Sequence, residues 1–193
     1  MESEIRAGYK IEVEQDLCPI EPRDYEPLGR MVLFHKHYDL PKEIDNIPDP
    51  ASFSGWDELG EAIRKQTQAV VMLDVYMYDH SGVTIRTTPF SCPWDSGQVG
   101  FILARAEDIR KEYKVKAISA KLKAKVEAML ESEVKEYAQY MEGDIWQWAI
   151  SRDGEIIESC GGTYGYDEAL KQARAMTDII AHEHAASVPA LAE

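Results

Sequence analysis

Apolar and polar residues alternate from Tyr9 to Glu14, the two-residue period of a strand with one face buried. Cys18 to Pro27 breaks that pattern. Pro19, Pro22 and Pro27 remove backbone donors and fix φ among acidic neighbours, which predicts an extended loop. Met31 to Tyr38 reads as the next strand and Leu40 to Gly55 as a second proline-bearing loop. Trp56 to Gln68 reads as a short helix with Trp56, Leu59 and Ile63 on one side. Ala69 to Tyr78 is β-branched, aromatic and nearly continuous in apolar character, which predicts a central strand. His80-Ser81-Gly82 supplies a turn and Val83 to Thr88 the returning strand, followed by a compact loop from Pro89 to Gly97 and a strand from Gln98 to Ala104.

Beyond a helical turn or two at Glu107 to Tyr113, the period changes. Ile118, Leu122, Val126, Met129, Leu130, Val134, Tyr137 and Met141 recur in steps of three and four. That is one long amphipathic helix with Ser119 as its N-cap and Gly143-Asp144 as its stop. Arg152-Asp153-Gly154 between two alternating runs predicts a hairpin. The glycines Gly161, Gly162 and Gly165 then turn the strand into a last helix, capped by Asp167 and reaching about Ala181. The order of elements predicts an α+β fold: a single domain over 1–193, mainly an antiparallel sheet packed by one long and one or two shorter helices, with a frayed tail from about residue 185.

Charge changes the picture. The chain has 193 residues, with 21 Lys and Arg against 35 Asp and Glu, net −14. Generic binding to a phosphate backbone is therefore not expected, since it requires a basic face that releases counterions. The segment from Arg105 to Lys125 runs the other way, with eight bases against three acids. Arg105, Arg110, Lys111, Lys121, Lys123 and Lys125 read either as a solvated helix face or as a ridge for an acidic partner or nucleic acid. The longest apolar run, Ala69 to Leu73, is far short of the roughly 20 residues that span a bilayer. Met1 to Lys10 has no apolar signal segment, and Cys18, Cys92 and Cys160 form no CxxC pair. The expectation is a cytoplasmic protein without membrane association or cofactor.

The densest chemistry lies in Asp79-His80-Ser81-Gly82 and Ser91 to Gln98. Cys92 and His80 on neighbouring loops can form a thiolate–imidazolium pair oriented by Asp79 or Asp95, the constellation of a cysteine-dependent hydrolase. The structural alternative is a turn held by Asp95 across Ser96-Gly97, with Trp94 packed on the sheet near Tyr78 or His80. His35 and His37 fall on one face of a strand and can hold a metal if His80 completes the set, the basis of a metal-dependent hydrolase. His182 and His184 diverge on a helix and do not chelate, and Gly161 to Gly165 lacks the spacing of a nucleotide-binding loop. Trp146 and Trp148 share a strand face, as do Tyr76 and Tyr78, which reads first as core packing.

Pro22-Arg23-Asp24-Tyr25, Leu28-Gly29, Phe34-His35, Tyr38, Tyr78 to Gly82 and the run Pro89 to Phe101 together resemble an uncharacterised family of small proteins. Its members are encoded by bacteriophages and integrative mobile elements. Glu133, Val134, Tyr137, Tyr140, Gly143, Asp144, Ser159-Cys160-Gly161 and Tyr164-Gly165 belong to the same pattern, which the chain departs from at Glu21 to Pro27 and Pro41-Lys42. The resemblance transfers no catalytic residue. It implies an accessory protein of a mobile element, acting in the bacterial cytoplasm. The expected partner is a host protein or ribonucleoprotein defence complex, inhibited in anti-CRISPR or antirestriction fashion, with acidic mimicry of DNA as one mode. The balance leans toward a binding protein over an enzyme. The cysteine- or metal-dependent hydrolase and a nucleic-acid-metabolism factor using the 105–125 segment are the alternatives.

Overall fold

The computed structural model describes residues 2–187 of the chain. In order, these form β1 (Glu2–Arg6), β2 (Tyr9–Gln15), β3 (Arg30–Leu33), α1 (Trp56–Thr67), β4 (Ala69–Asp79), β5 (Val83–Arg86), β6 (Ser96–Arg105), α2 (Ala106–Tyr113), α3 (Ala120–Glu142), β7 (Ile145–Arg152), β8 (Glu155–Tyr164) and α4 (Tyr166–Ser187). The fold is α+β, and all the strand pairings are antiparallel. The strands are shared between two four-stranded sheets, β1-β2-β7-β8 and β3-β6-β4-β5, where the sequence pattern suggested one. Contacts divide the chain into two compact units, Met1–Ile20 with Gly143–Glu193, and Glu21–Glu142. No helix among the described residues is long and apolar enough to cross a membrane.

In the first unit, Tyr9, Ile11 and Val13 of β2 alternate inward with Trp148 and Ile150 of β7, and α4 covers them with Ala169 and Ala173. The small alanines let the helix lie close to the aromatic sheet surface. β1 lacks an apolar inner face. In its place, Glu4 pairs with Arg174 and Arg6 with Asp178 of α4, at 2.6 and 2.7 Å. The sequence Glu-Ser-Glu-Ile-Arg shows neither apolar alternation nor a continuous apolar run, so nothing in it marks this edge strand. Asp153 and Gly154 both have positive φ, the requirement of a tight two-residue hairpin turn between β7 and β8. Gly161 and Gly162 do not turn the chain into the helix, as the sequence suggested. β8 continues through them, with two residues opposing Gln147 in a bulge where Gly162 has φ of +71°. The turn falls at Gly165, and α4 begins at Tyr166, which places Asp167 in the first turn rather than at the cap. The helix runs on to Ser187 and so includes 185–187, the first residues of the expected tail. The rest of that tail, 188–193, lies outside the described residues.

In the second unit, the sheet is covered on both faces. Leu59 and Ile63 of α1 pack on Val32, Phe101 and Leu103, while Ile109 of α2 and Val126, Leu130 and Val134 of α3 pack on Met31, Leu33, Val75 and Ile102. Burial on both sides explains why β6 is buried without a break from Val99 to Ala104. Gly100, with φ of +154°, sits where a Cβ would strike the Val32 carbonyl oxygen of the adjoining β3. Ser119 caps α3 as its position suggested, its Oγ accepting from the Leu122 N–H at 3.2 Å.

β3 ends at Leu33, five residues before the strand the sequence predicts. Leu33 N–H donates to Pro41 O and Glu43 N–H to Met31 O, both at 2.9 Å, so the returning chain occupies the free edge of β3 and 34–40 must loop out. A buried ion cluster fixes the start of this unit. Arg23, whose side chain is 6% exposed, donates to Glu43 at 2.7 Å, to Glu133 at 3.0 Å and to the Gly29 carbonyl. Burial works against its charge, but the hydrogen bonds of Glu43 and Glu133 outweigh that and hold the guanidinium above its ordinary pKa. A Cβ on Gly29 would lie 2.5 Å from Glu133 Oε2, 2.7 Å from Leu130 Cδ2 and 2.9 Å from Ile102 Cδ1, so a larger residue here has to displace the ends of these side chains.

Candidate binding cleft

The loop between β5 and β6 is anchored by Phe90. Its ring lies 5.6 Å from Tyr78, and the Arg86 guanidinium sits 3.8 Å over the Phe90 ring while donating to the carbonyls of Thr88 and Pro89. Ser96 Oγ donates to Cys92 O, and Asp79 N–H donates to Asp95 O at 2.8 Å, which pins the end of the loop. The sequence assigned the anchoring role to Trp94, and this is corrected. With Phe90 holding the sheet, Pro93-Trp94 forms the crest of the loop and the indole is 92% exposed.

Asp95 also departs from its expected role. Its Oδ2 accepts the Cys92 thiol at 3.3 Å and lies 3.6 Å from His80 Nδ1, rather than bonding the amides of Ser96 and Gly97. Cys92 and His80 are thus brought to one carboxylate oxygen, with the aspartate standing between them. The thiol proton points to Asp95 and not to an imidazole, so the nucleophile–base hydrogen bond of a cysteine hydrolase is not formed.

His35 and His37 lie in the bend after β3, not on a strand face. Their rings are 5.8 Å apart, and His35 Nδ1 accepts the His37 N–H at 3.2 Å, which occupies a lone pair a metal would need. His35 stacks on Tyr38 at 4.8 Å between centroids. Tyr38 in turn hydrogen-bonds Asp79, which raises its hydroxyl pKa. Among the described residues, no three His, Cys, Asp or Glu side chains form a set that could hold a metal.

These two clusters border one cleft of about 780 Å³ in the second unit. Phe34, Trp56, Met77 and Val99 supply apolar walls, while His35, Lys36, His37 and Trp94 line it together with the carboxylates Asp49, Asp79 and Asp95. Phe34 and Trp56 are 6.3 Å apart, and Trp56 meets Phe101 edge-on at 5.9 Å, so the aromatic walls are braced by the core. Sequence reading had singled out His35, His37, Asp79, Trp94 and Asp95. Phe34 and Trp56 were not legible as lining, because an apolar residue at strand or helix period reads as core, and Lys36 and Asp49 belong to no chemical motif that marks them.

The basic segment does not join this site as a set. Arg105 is tied to Asp108 at 2.7 Å and to Glu107 at 3.1 Å, and Arg110 Nε donates to Lys116 O at 3.3 Å. Lys125 lies 4.8 Å over the Tyr113 ring, and Lys111, Lys121 and Lys123 are exposed. No protein-family model, curated protein or solved structure matches the chain.

Proposed function

We propose that this chain is a binding protein that engages a partner polypeptide through the Trp94 cleft. The resemblance to phage and mobile-element proteins suggests that the partner belongs to a host restriction or CRISPR complex, whose action the chain inhibits. One observation carries the reading: a tryptophan with 92% of its surface exposed stands at a cleft with braced aromatic walls. Tryptophan is among the side chains most enriched where protein surfaces bind tightly, and an exposed one has no folding role to account for it. The Cys92 thiol meets the Asp95 carboxylate and not an imidazole, which supports binding over cysteine–histidine catalysis.

The test is phage plating on hosts that carry a defined restriction or CRISPR system. Expression of the chain restores plating, Trp94→Ala abolishes the effect while keeping the wild-type melting temperature, and Cys92→Ser retains it. Wild-type plating by the Trp94→Ala variant refutes the cleft as the contact. A Cys92→Ser protein that folds normally but loses all activity makes the cysteine hydrolase the better reading.

A further inference from the structure

We infer that the Trp94 cleft takes an arginine side chain presented by a segment of the partner polypeptide. This rests on the reading of the cleft as a protein-binding site and names the group it recognises. The walls formed by Phe34, Trp56 and Met77 suit the apolar stem of a long side chain, which buries its methylenes while its charged end stays polar. The same cleft carries an excess of carboxylates. Asp49, Asp79 and Asp95 line it against one lysine, Lys36, which makes no ion pair among the described residues, and the imidazoles of His35 and His37, while Asp95 Oδ2 also lies 3.6 Å from His80.

Acceptor capacity is left over as well. Asp49 uses Oδ1 to accept the Ala51 N–H at 3.0 Å, and Asp95 uses Oδ2 for Cys92 and His80. Asp49 Oδ2 and Asp95 Oδ1 hold no hydrogen bond among the described residues. A guanidinium offers five donors in a plane, matching more than one carboxylate at once, and its flat face stacks on an indole. Trp94 is placed next to Asp95 in the chain and is open to such stacking.

The experiment titrates the full-length protein with the peptide acetyl-Gly-Leu-Arg-Leu-Gly-amide and with its citrulline analogue, which keeps the shape of arginine without its charge. Binding is read by calorimetry, alongside melting temperatures of each variant. The arginine peptide is expected to bind at least about tenfold more tightly than the citrulline peptide, the size of one charge-assisted contact. Asp95→Asn and Asp49→Asn are expected to erase that difference without lowering affinity for the citrulline peptide, and Trp94→Ala to weaken both. Equal binding of the two peptides, or no binding of either, overturns the inference. If Trp94-dependent plating persists in that case, the proposed function stands without it. Arginine-selective binding by a chain that leaves plating unaffected would sink the defence reading and keep this one.

Discussion

At the scale of single residues, Phe90 and Trp94 differ sharply within one loop. Phe90 packs against Tyr78 and the Arg86 guanidinium, whereas Trp94 touches little of its own chain. Phe90→Ala is therefore expected to cost about 1–2 kcal/mol in chemical denaturation, the combined worth of an aromatic pair and a cation–π contact. Trp94→Ala should leave the midpoint unchanged. Glu133 carries a larger share. Its carboxylate accepts from Arg23 and from the Gly29 N–H; its loss leaves Arg23 with Glu43 as its one carboxylate partner and the Gly29 N–H without its acceptor. Glu133→Ala should destabilise the protein by about 2–4 kcal/mol, the cost of a lost charge-assisted hydrogen bond and an unsatisfied donor. An unchanged urea midpoint would contradict that account of Arg23. Arg23, Gly29 and Glu133 thus hold the chain against α3, while His35, Asp79, Trp94 and Asp95 line the cleft.

At the scale of elements, legibility followed the source of each element's stability. β2, β4, α1 and α3 are held by apolar faces of regular period, and their placement was readable from that period. β1 is held by ion pairs to α4, so its strand character left no apolar trace. The end of β3 depended on a chain segment eight residues further on taking its edge, which no local pattern encodes. The cleft was half visible for a similar reason: the polar residues stood out in loops, but their apolar walls looked like core. The β1–α4 pairing has a measurable pH signature. Hydrogen bonds from Arg6 and Arg174 hold the Asp178 and Glu4 carboxyls below their ordinary values. A depressed carboxylate stabilises the fold above its unfolded pKa and loses that contribution as pH falls through the folded value. Asp178→Asn should therefore lower the melting temperature slightly at pH 7, and the gap to wild type should narrow progressively as pH falls below the ordinary aspartate range. A gap that does not narrow on acidification would mean the pair acts through packing alone.

At the scale of the molecule, charge is shared unevenly. The first unit holds 14 acidic residues and 5 basic ones, net −9, and the second 21 and 16, net −5. A protein that competes as a DNA mimic binds its target through many carboxylates and should lose about a thousandfold or more in affinity between 50 and 200 mM salt. Binding centred on Trp94 and one arginine depends mainly on desolvated apolar area. The expected loss over that range is less than about tenfold, measured by surface plasmon resonance on the captured defence complex. A loss of three decades would transfer the contact from the cleft to the acidic surface.

The first unit is interrupted in sequence: β2 ends at Gln15 and its neighbour β7 begins at Ile145, with residues 21–142 making up the second unit. Biosynthesis turns this into a waiting time. As the chain leaves the ribosome, β1 and β2 emerge first as a two-stranded hairpin, which is marginal in water on its own. At about 5–20 residues per second, β7 follows on the order of ten seconds later. The second unit has all its strands and helices before then, whereas the pairing that joins Asp16 N–H to Ile145 O and Gln15 to Gly143 O must wait for the last stretch of translation. A nascent chain stalled with Glu142 just outside the exit tunnel should show 21–142 resisting brief proteolysis while the first twenty residues are clipped. Maturation of this protein is thus ordered by its gene: the unit that carries the Trp94 cleft is finished first, and the flanking unit is sealed only by the arrival of the C-terminal strands.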